Sequence, residues 1–432
     1  MEIYMKTKLN LAVAAALLAG VSSANAGIMI PAGDWTLDIG GIVNTYYTHT
    51  SQSGDVFPAQ TLGGVNEHGD DSQSNITTGL LPNYLSVSGK TRQNDLDVGF
   101  TISLNPGTST KNAGFQGSQQ ENRQAFLTFG DKSWGSIKVG KDLGIYASDA
   151  ILNDMTLLGV GSGAGFLAGN TTTLGRIGTG FTYADWKSQI AYSSPNFNGF
   201  SFTAGVTQAW NAIAAAAGGD VLDLNTGLPT GLTFGDNGVF DSAVSTGRGG
   251  SNPAFEGKAS YEWAGDVGGK VWASAMTQKV KYLTGSNFVG ERSDRATGYD
   301  VGATVNLAGF GLTGYYSNGD GTGTTLQLRD GFDQNGKARD SDDYYVQATY
   351  TLPGVGTKLG ASYGKSTLDG NSVDFFNEYS NAMWTVGAYH PITKHLNLVA
   401  EYSNVKTEVE IRNAADLDGK SKTVSLGAIM FF

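Results

Sequence analysis

Apolar residues recur at every second position along most of this chain. In NDLDVGFTISLN (94–105), Leu96, Val98, Phe100, Ile102 and Leu104 share one face, and Asp95, Asp97, Gly99, Thr101 and Ser103 share the other. In YDVGATVNL (299–307), Tyr299, Val301, Ala303, Val305 and Leu307 oppose Asp300, Gly302, Thr304 and Asn306. FEGKASYEW (255–263) and NYLSVSGKTR (83–92) alternate in the same way, and so does the last stretch, TVSLGAIMFF. There Val424, Leu426, Ala428, Met430 and Phe432 fall on one side. A helix would spread such residues around its circumference, so period two specifies strands, each with one face to be hidden from water.

The connections alternate too. Short turns are expected at Gln93-Asn94, Gly130 to Ser133, Pro195 to Gly199, Gly265-Asp266, Ala308-Gly309, Pro353-Gly354 and Pro391-Ile392. Between them lie longer polar stretches at roughly 50–81, 106–120, 142–186, 211–253, 281–296, 319–340, 368–379 and 408–419. Seven turns and eight loops require sixteen strands, with both chain ends on the short-turn side. An even count, short turns at one end and long loops at the other are the signature of an antiparallel transmembrane β-barrel with periplasmic turns and extracellular loops. In a bilayer every backbone group must pair internally, so a spanning sheet has to close on itself. Closure would pair the strand ending at Phe432 with the one beginning near Trp35, which sets Trp35, Leu37, Ile39 and Val43 on one face. Phe129, Trp134, Phe197, Phe200, Phe310, Trp384 and Phe432, near turns and strand ends, fit aromatic girdles at the two lipid boundaries.

The start of the chain fits export. MKTKLNLAVAAALLAGVSSANA has Lys6 and Lys8, an apolar run from Leu9 to Val21 and an Ala24-Asn25-Ala26 ending. These are the parts of a secretory signal over residues 1–26, leaving 27–432 as one barrel domain. No later apolar run is long enough for a membrane helix. There is no cysteine, so neither disulfides nor thiolate chemistry enter. Gly, at 62 of 432 residues, is about twice its usual share of roughly 7%, and a chain so rich in Gly and Tyr points to many short strands. A net charge of −11, one unit more negative without the signal, offers no basic patch for nucleic acid.

Three segments carry a family resemblance: NRQAFLTFGDKSWGSIKVGKD (122–142), YSSPNFNGFSF (192–202) and the terminal strand ending in Phe432. With them the whole mature chain resembles the Gram-negative general diffusion porins. That resemblance implies a homotrimer in the outer membrane, in contact with its lipid and lipopolysaccharide. It also implies a third loop folded into the lumen, and a terminal Phe432 read as a signal by the barrel-assembly machinery. The family's constriction sets an acidic loop against a basic wall. Carried over, Arg123 in NRQA and Lys141 in VGKD fall on the basic side, and Asp149 and Asp154 on the acidic loop. Lys90 and Arg92 have lumen parity, and either Arg176 or Lys187 would follow the loop. The chain departs from the pattern in GKTRQNDLDVG, in Lys141 where the family often has Arg, and in the uncharged GVGSGAGFLAGNTTTLG.

The expected function is passive diffusion of ions and small polar solutes, with no cofactor, metal or enzymatic activity. Opposed rows of charge across a narrow, low-dielectric gap would sort ions, since a unit pair at about 4 Å is worth roughly 4 kcal/mol at an effective dielectric near 20. The competing expectation is a substrate-selective channel for a sugar, phosphate or carboxylate, to which lumen-parity Tyr46, Tyr345 and Tyr389 could contribute. A structural or adhesive barrel is the third class. Catalysis finds little footing: there is no G-x-S-x-G and no H-E-x-x-H, and His49 and His68 lie at the opposite end from His390 and His395. DQNG (333–336) lacks the rest of a calcium loop and reads as a solvated turn. The acidic RDGFDQNGKARDSDD (329–343) reads as an outer-mouth charge that concentrates cations.

Overall fold

The computed structural model describes residues 27–54, 61–64, 71–109, 120–163, 172–214, 242–247, 249–285 and 292–432. The expected signal segment, 1–26, and His68 lie outside them. Sixteen strands form the wall. They are β1 (Trp35–Gly54), β2 (Tyr84–Gln93), β3 (Leu96–Pro106), β4 (Ala125–Asp131), β5 (Gly135–Leu143), β6 (Trp186–Ser193), β7 (Phe200–Thr207) and β8 (Ala254–Trp263). The second half comprises β9 (Val267–Thr284), β10 (Arg292–Leu307), β11 (Phe310–Asp320), β12 (Asp340–Thr351), β13 (Lys358–Asp369), β14 (Phe376–Pro391), β15 (Leu396–Ile411) and β16 (Leu417–Phe431).

Each strand pairs antiparallel with its sequence neighbour, and β16 returns to β1 from Ile42↔Phe431 to Gly54↔Gly419. The sheet is therefore closed, as the alternation required. All seven expected short turns separate strands, and two of them are two-residue hairpins. Asn94 and Asp95, and Ala308 and Gly309, have positive φ between the pairs Gln93↔Leu96 and Leu307↔Phe310. Such turns match the right-handed twist of the strands they join.

Parity separates lipid from lumen. Val43, Tyr47, Ile102, Leu127, Ile190, Phe202, Tyr299, Val301, Leu312, Val346, Leu398, Val424 and Leu426 are exposed on the outside. Thr48, Ser103, Asp300, Tyr345, Glu401 and Ser425, of opposite parity, are buried within. The wall is uneven: β4 to β7 have 7, 9, 8 and 8 residues, whereas β9, β14 and β15 have 18, 16 and 16.

Two features were not foreseen. A short strand, Ile28–Ala32, folds back on β1 (Ile28↔Ile39 to Ala32↔Trp35), so it occupies the β1 edge that β16 leaves open beyond Phe432. The stretch 50–81, expected as one surface loop, is divided. Ser72–Thr77 pairs with the upper half of β1 as β2 does with the lower half, and Thr78–Asn83 between them turns inward. Leu80 and Leu81 are consequently buried. They belong to an apolar cluster inside the barrel with Tyr46, Trp272, Tyr345, Tyr389 and Ile429 of the wall and Ile151, Leu157, Val160 and Phe181 of the third loop.

Candidate functional site: the lumen and its third loop

The third loop, 144–185, enters the barrel after β5 and returns to β6. It begins with helix α1 (Ser148–Asn153) and a single 3-10 turn (Met155–Leu158). Two inward glutamates grip it from different walls. Glu256 of β8 accepts from the amides of Ile145 (2.8 Å) and Tyr146 (2.9 Å) through one oxygen. Glu401 of β15 accepts from Val160 (2.7 Å) and Gly161 (2.8 Å) in the same way, and from the Tyr389 hydroxyl at 2.6 Å. Charge-assisted bonds of this kind are roughly twice as strong as neutral ones. Between the two grips, the Tyr345 hydroxyl donates to Ala150 O (2.9 Å) and that of Tyr46 to Leu158 O (2.7 Å). Gln347 bonds both Met155 N (2.9 Å) and Asn153 O (2.6 Å).

Asp149 is buried and lies between two wall lysines, 2.6 Å from Lys270 Nζ and 3.0 Å from Lys258 Nζ. Burial acts most strongly on its pKa and by itself would raise it. The two ammonium groups outweigh that and hold the carboxyl below its usual 3.8. Asp154 instead caps the 3-10 turn, accepting from Thr156 N (3.0 Å) and Thr156 Oγ1 (2.5 Å). Its burial raises its pKa, with the Arg176 charge working against the rise.

The expected basic residues take different positions. Arg176 is fully buried in the returning arm of the loop. It donates to Thr179 O, Met383 O and Ser362 Oγ and stacks over Tyr345. Lys187, on β6, is also buried, 2.5 Å from both Glu256 and Gln327 and over the Trp210 ring. Neither is therefore an open wall charge. Arg123, just before β4, is buried beside Glu121 at 3.0 Å and acts on Tyr183 and Asp185 of the loop. Arg92 stands at the short-turn rim, 2.9 Å from both Asp97 and Asp131. Lys90 lies one lumen position further in, opposite Thr36 and Gly99.

Lys141 departs from expectation. It pairs with Ala125 and Ser188, both exposed outward positions, and its Nζ donates to Asn122 O at 2.9 Å. The lysine of this strand that faces the lumen is Lys138, which pairs with Asp142 and lies over the Phe126 ring. Alternation carried the signal, because Ile137, Val139 and Lys141 share a face while Ser136, Lys138 and Asp142 share the other. Inward Phe126 also accounts for the irregular apolar pattern of β4. Sequence reasoning further missed Glu256, Lys258, Lys270 and Glu401. All four have lumen parity, but the amides and the aspartate they hold leave no mark at that distance along the chain.

Among the described residues, the histidines do not converge on a site. His49 bonds Ser74 on the loop side of the barrel, and His390 bonds Thr357 at the turn end.

A closed sixteen-stranded wall, apolar outside and lined with paired polar groups within, defines a bacterial outer-membrane channel. A sequence profile described as Gram-negative porin matches residues 11–409. The chain belongs to the Gram-negative porin family. None of the curated protein sequences matches it. Among solved structures it is similar to the anion-selective porin from Comamonas acidovorans, with a TM-score of 0.58 and 16% identity over 92% of this chain and 100% of that one. It is also similar to the outer membrane channel DcaP of Acinetobacter baumannii, with 0.57 and 14% over 95% and 100%. For Salmonella typhi OmpF the values are 0.51 and 16% over 94% and 100%.

Proposed function

We propose that this porin is a non-enzymatic, water-filled channel through which ions and small hydrophilic solutes diffuse passively, with its narrowest point where the third loop meets the wall. The observation that carries this reading is the double grip of Glu256 and Glu401, which fixes the loop across the lumen. The inward faces of β2 to β5 are polar: Ser86, Ser88, Thr101 and Ser103 are buried there, while Lys90 is exposed and Thr128 and Lys138 are half-buried, a lining suited to hydrated solutes.

The charges favour weak selectivity rather than a strong transverse field. Asp149 is paired with Lys258 and Lys270 on the wall it touches, Lys187 with Glu256, and Lys138 with Asp142. Opposite charges in contact largely cancel at a distance, so little field remains across the opening. A sugar-specific pore is disfavoured, since the hydroxyls of Tyr46, Tyr345 and Tyr389 are spent on the loop and on Glu401. A homotrimer is the proposed assembly, joined along the low wall β4–β7, where outward Leu127, Ile190, Phe202 and Val206 offer apolar surface. Phe432 as the mark for the assembly machinery belongs to the same reading, with lipopolysaccharide around the trimer. Planar-bilayer recording tests it: ohmic, weakly ion-selective steps are expected, and a silent or strongly single-ion-selective protein would overturn it.

A further inference from the structure

The loop between β11 and β12, residues 321–339, does not stand out in solvent as its acidic sequence led us to expect. Thr322, Gln327, Leu328, Phe332, Asp333 and Arg339 are all buried. The hairpin wall beneath it is complete up to Asp320↔Asp340, so the segment is an addition to a finished pair of strands.

The loop crosses the lumen. Thr325 O accepts from Tyr183 N at 2.9 Å and Gly323 O from Thr182 Oγ1 at 3.1 Å, which joins it to the returning arm of the third loop. Gln327 reaches Lys187 on β6 at 2.5 Å, although β7, β8, β9 and β10 separate β6 from β11 around the wall. Leu328 and Phe332 pack with Met276 and Val280 of β9, Ala296 of β10 and Tyr146 of the third loop. A cord between strands so far apart covers the lumen face of those between them.

One arginine fastens it. Arg339 makes a two-point pair with Asp374, Nε–Oδ2 at 2.9 Å and Nη2–Oδ1 at 2.7 Å. Its Nη1 donates to Asp330 O (2.9 Å), Phe332 O (3.2 Å) and Ser242 Oγ (2.8 Å). Both partners of the ion pair are buried, and Asp374 belongs to the neighbouring loop between β13 and β14. Breaking such a pair by removing one partner leaves an uncompensated buried charge, so the latch holds as a unit.

We propose that loop 321–339 is a second size barrier, on the outer side of the third loop, latched by Arg339 and Asp374. It rests on the diffusion reading above and adds to it that entry is confined to the part of the lumen this loop leaves uncovered. The test compares the full-length protein with a variant in which residues 322–338 are replaced by a short glycine-containing turn, and with Asp374→Asn. The readouts are bilayer conductance and liposome swelling in arabinose, glucose, maltose and raffinose, each on protein whose mobility still shifts on heating. Shortening should raise conductance by about twofold or more and admit a larger sugar, as a wider opening does; Asp374→Asn should raise it less. If the native protein conducts and the shortened one matches it in conductance and sugar cutoff, the second barrier is refuted while the diffusion reading stands. If the native protein is silent and the shortened one conducts, the barrier is supported and the diffusion reading fails. If both are silent, both fail.

Discussion

At the scale of single residues, the lumen is organised by carboxylates that hold backbone or lysines. Asp149→Asn removes one negative charge and leaves Lys258 and Lys270 facing the passage. We expect the zero-current potential in a salt gradient to move toward anion preference. The loop anchor should weaken by about 1–3 kcal/mol, the usual cost of leaving a buried group without its partner. The pH dependence has a definite sign. Asp149 titrates below its usual value in the fold, so its contribution is complete above 3.8 and is lost as pH falls through the lowered value. Thermal unfolding in detergent should therefore show an acid-side loss of stability that is smaller in Asp149→Asn. Glu401→Gln retains shape but gives up the charge in the grip on Val160 and Gly161. Increased open-channel noise with little change in barrel melting is the expected record. Residue roles were the least legible part of the sequence. The family position that Lys141 matches points inward, while the alternation of its own strand puts it outside. Asp149 and Asp154 stand in the same loop, yet one faces wall lysines and the other caps a turn, a difference set by backbone direction.

At the scale of elements, sequence reading fared better, because each strand repeats its signal several times. Strand number, turn positions and the faces of β1, β3, β10 and β16 all follow from period two. What escaped were segments without a period. Leu80 and Leu81 stand in a polar stretch just ahead of Pro82, and their burial depends on the third loop arriving beside them. Loop 321–339 looked solvated because Asp330, Asp333 and Arg339 are charged, but those charges are satisfied internally. The closing seam offers a sharp test. Phe432 exchanges backbone bonds with Gly41 at 2.8 and 3.1 Å, and its ring lies over that glycine. A Cβ at Gly41 would come within 2.3 Å of Tyr84 O and 2.7 Å of the Phe432 ring. Gly41→Ala should thus destabilise the seam by about 1–3 kcal/mol, as overpacking does. A lower temperature for the heat-induced mobility shift would register it.

At the scale of the whole molecule, the wall separates two solvents. Val301, exposed outward on β10, should not tolerate arginine, which costs about 2–4 kcal/mol near the bilayer midplane. Thr304→Arg, three residues on and facing the lumen, should fold and lower conductance. Folding yield into lipid vesicles distinguishes the two, and equal yields would contradict the assignment of faces. The third loop also bears on mechanics. Glu256 on β8 and Glu401 on β15 sit well apart around the circumference, and the segment from Ile145 to Gly161 is tied to both. That segment acts as a cross-brace: squeezing the cylinder into an oval would require it to buckle or to release one end. The element that narrows the opening therefore also keeps it round under the lateral pressure of the lipids, and loosening it would trade a wider bore for a softer shell.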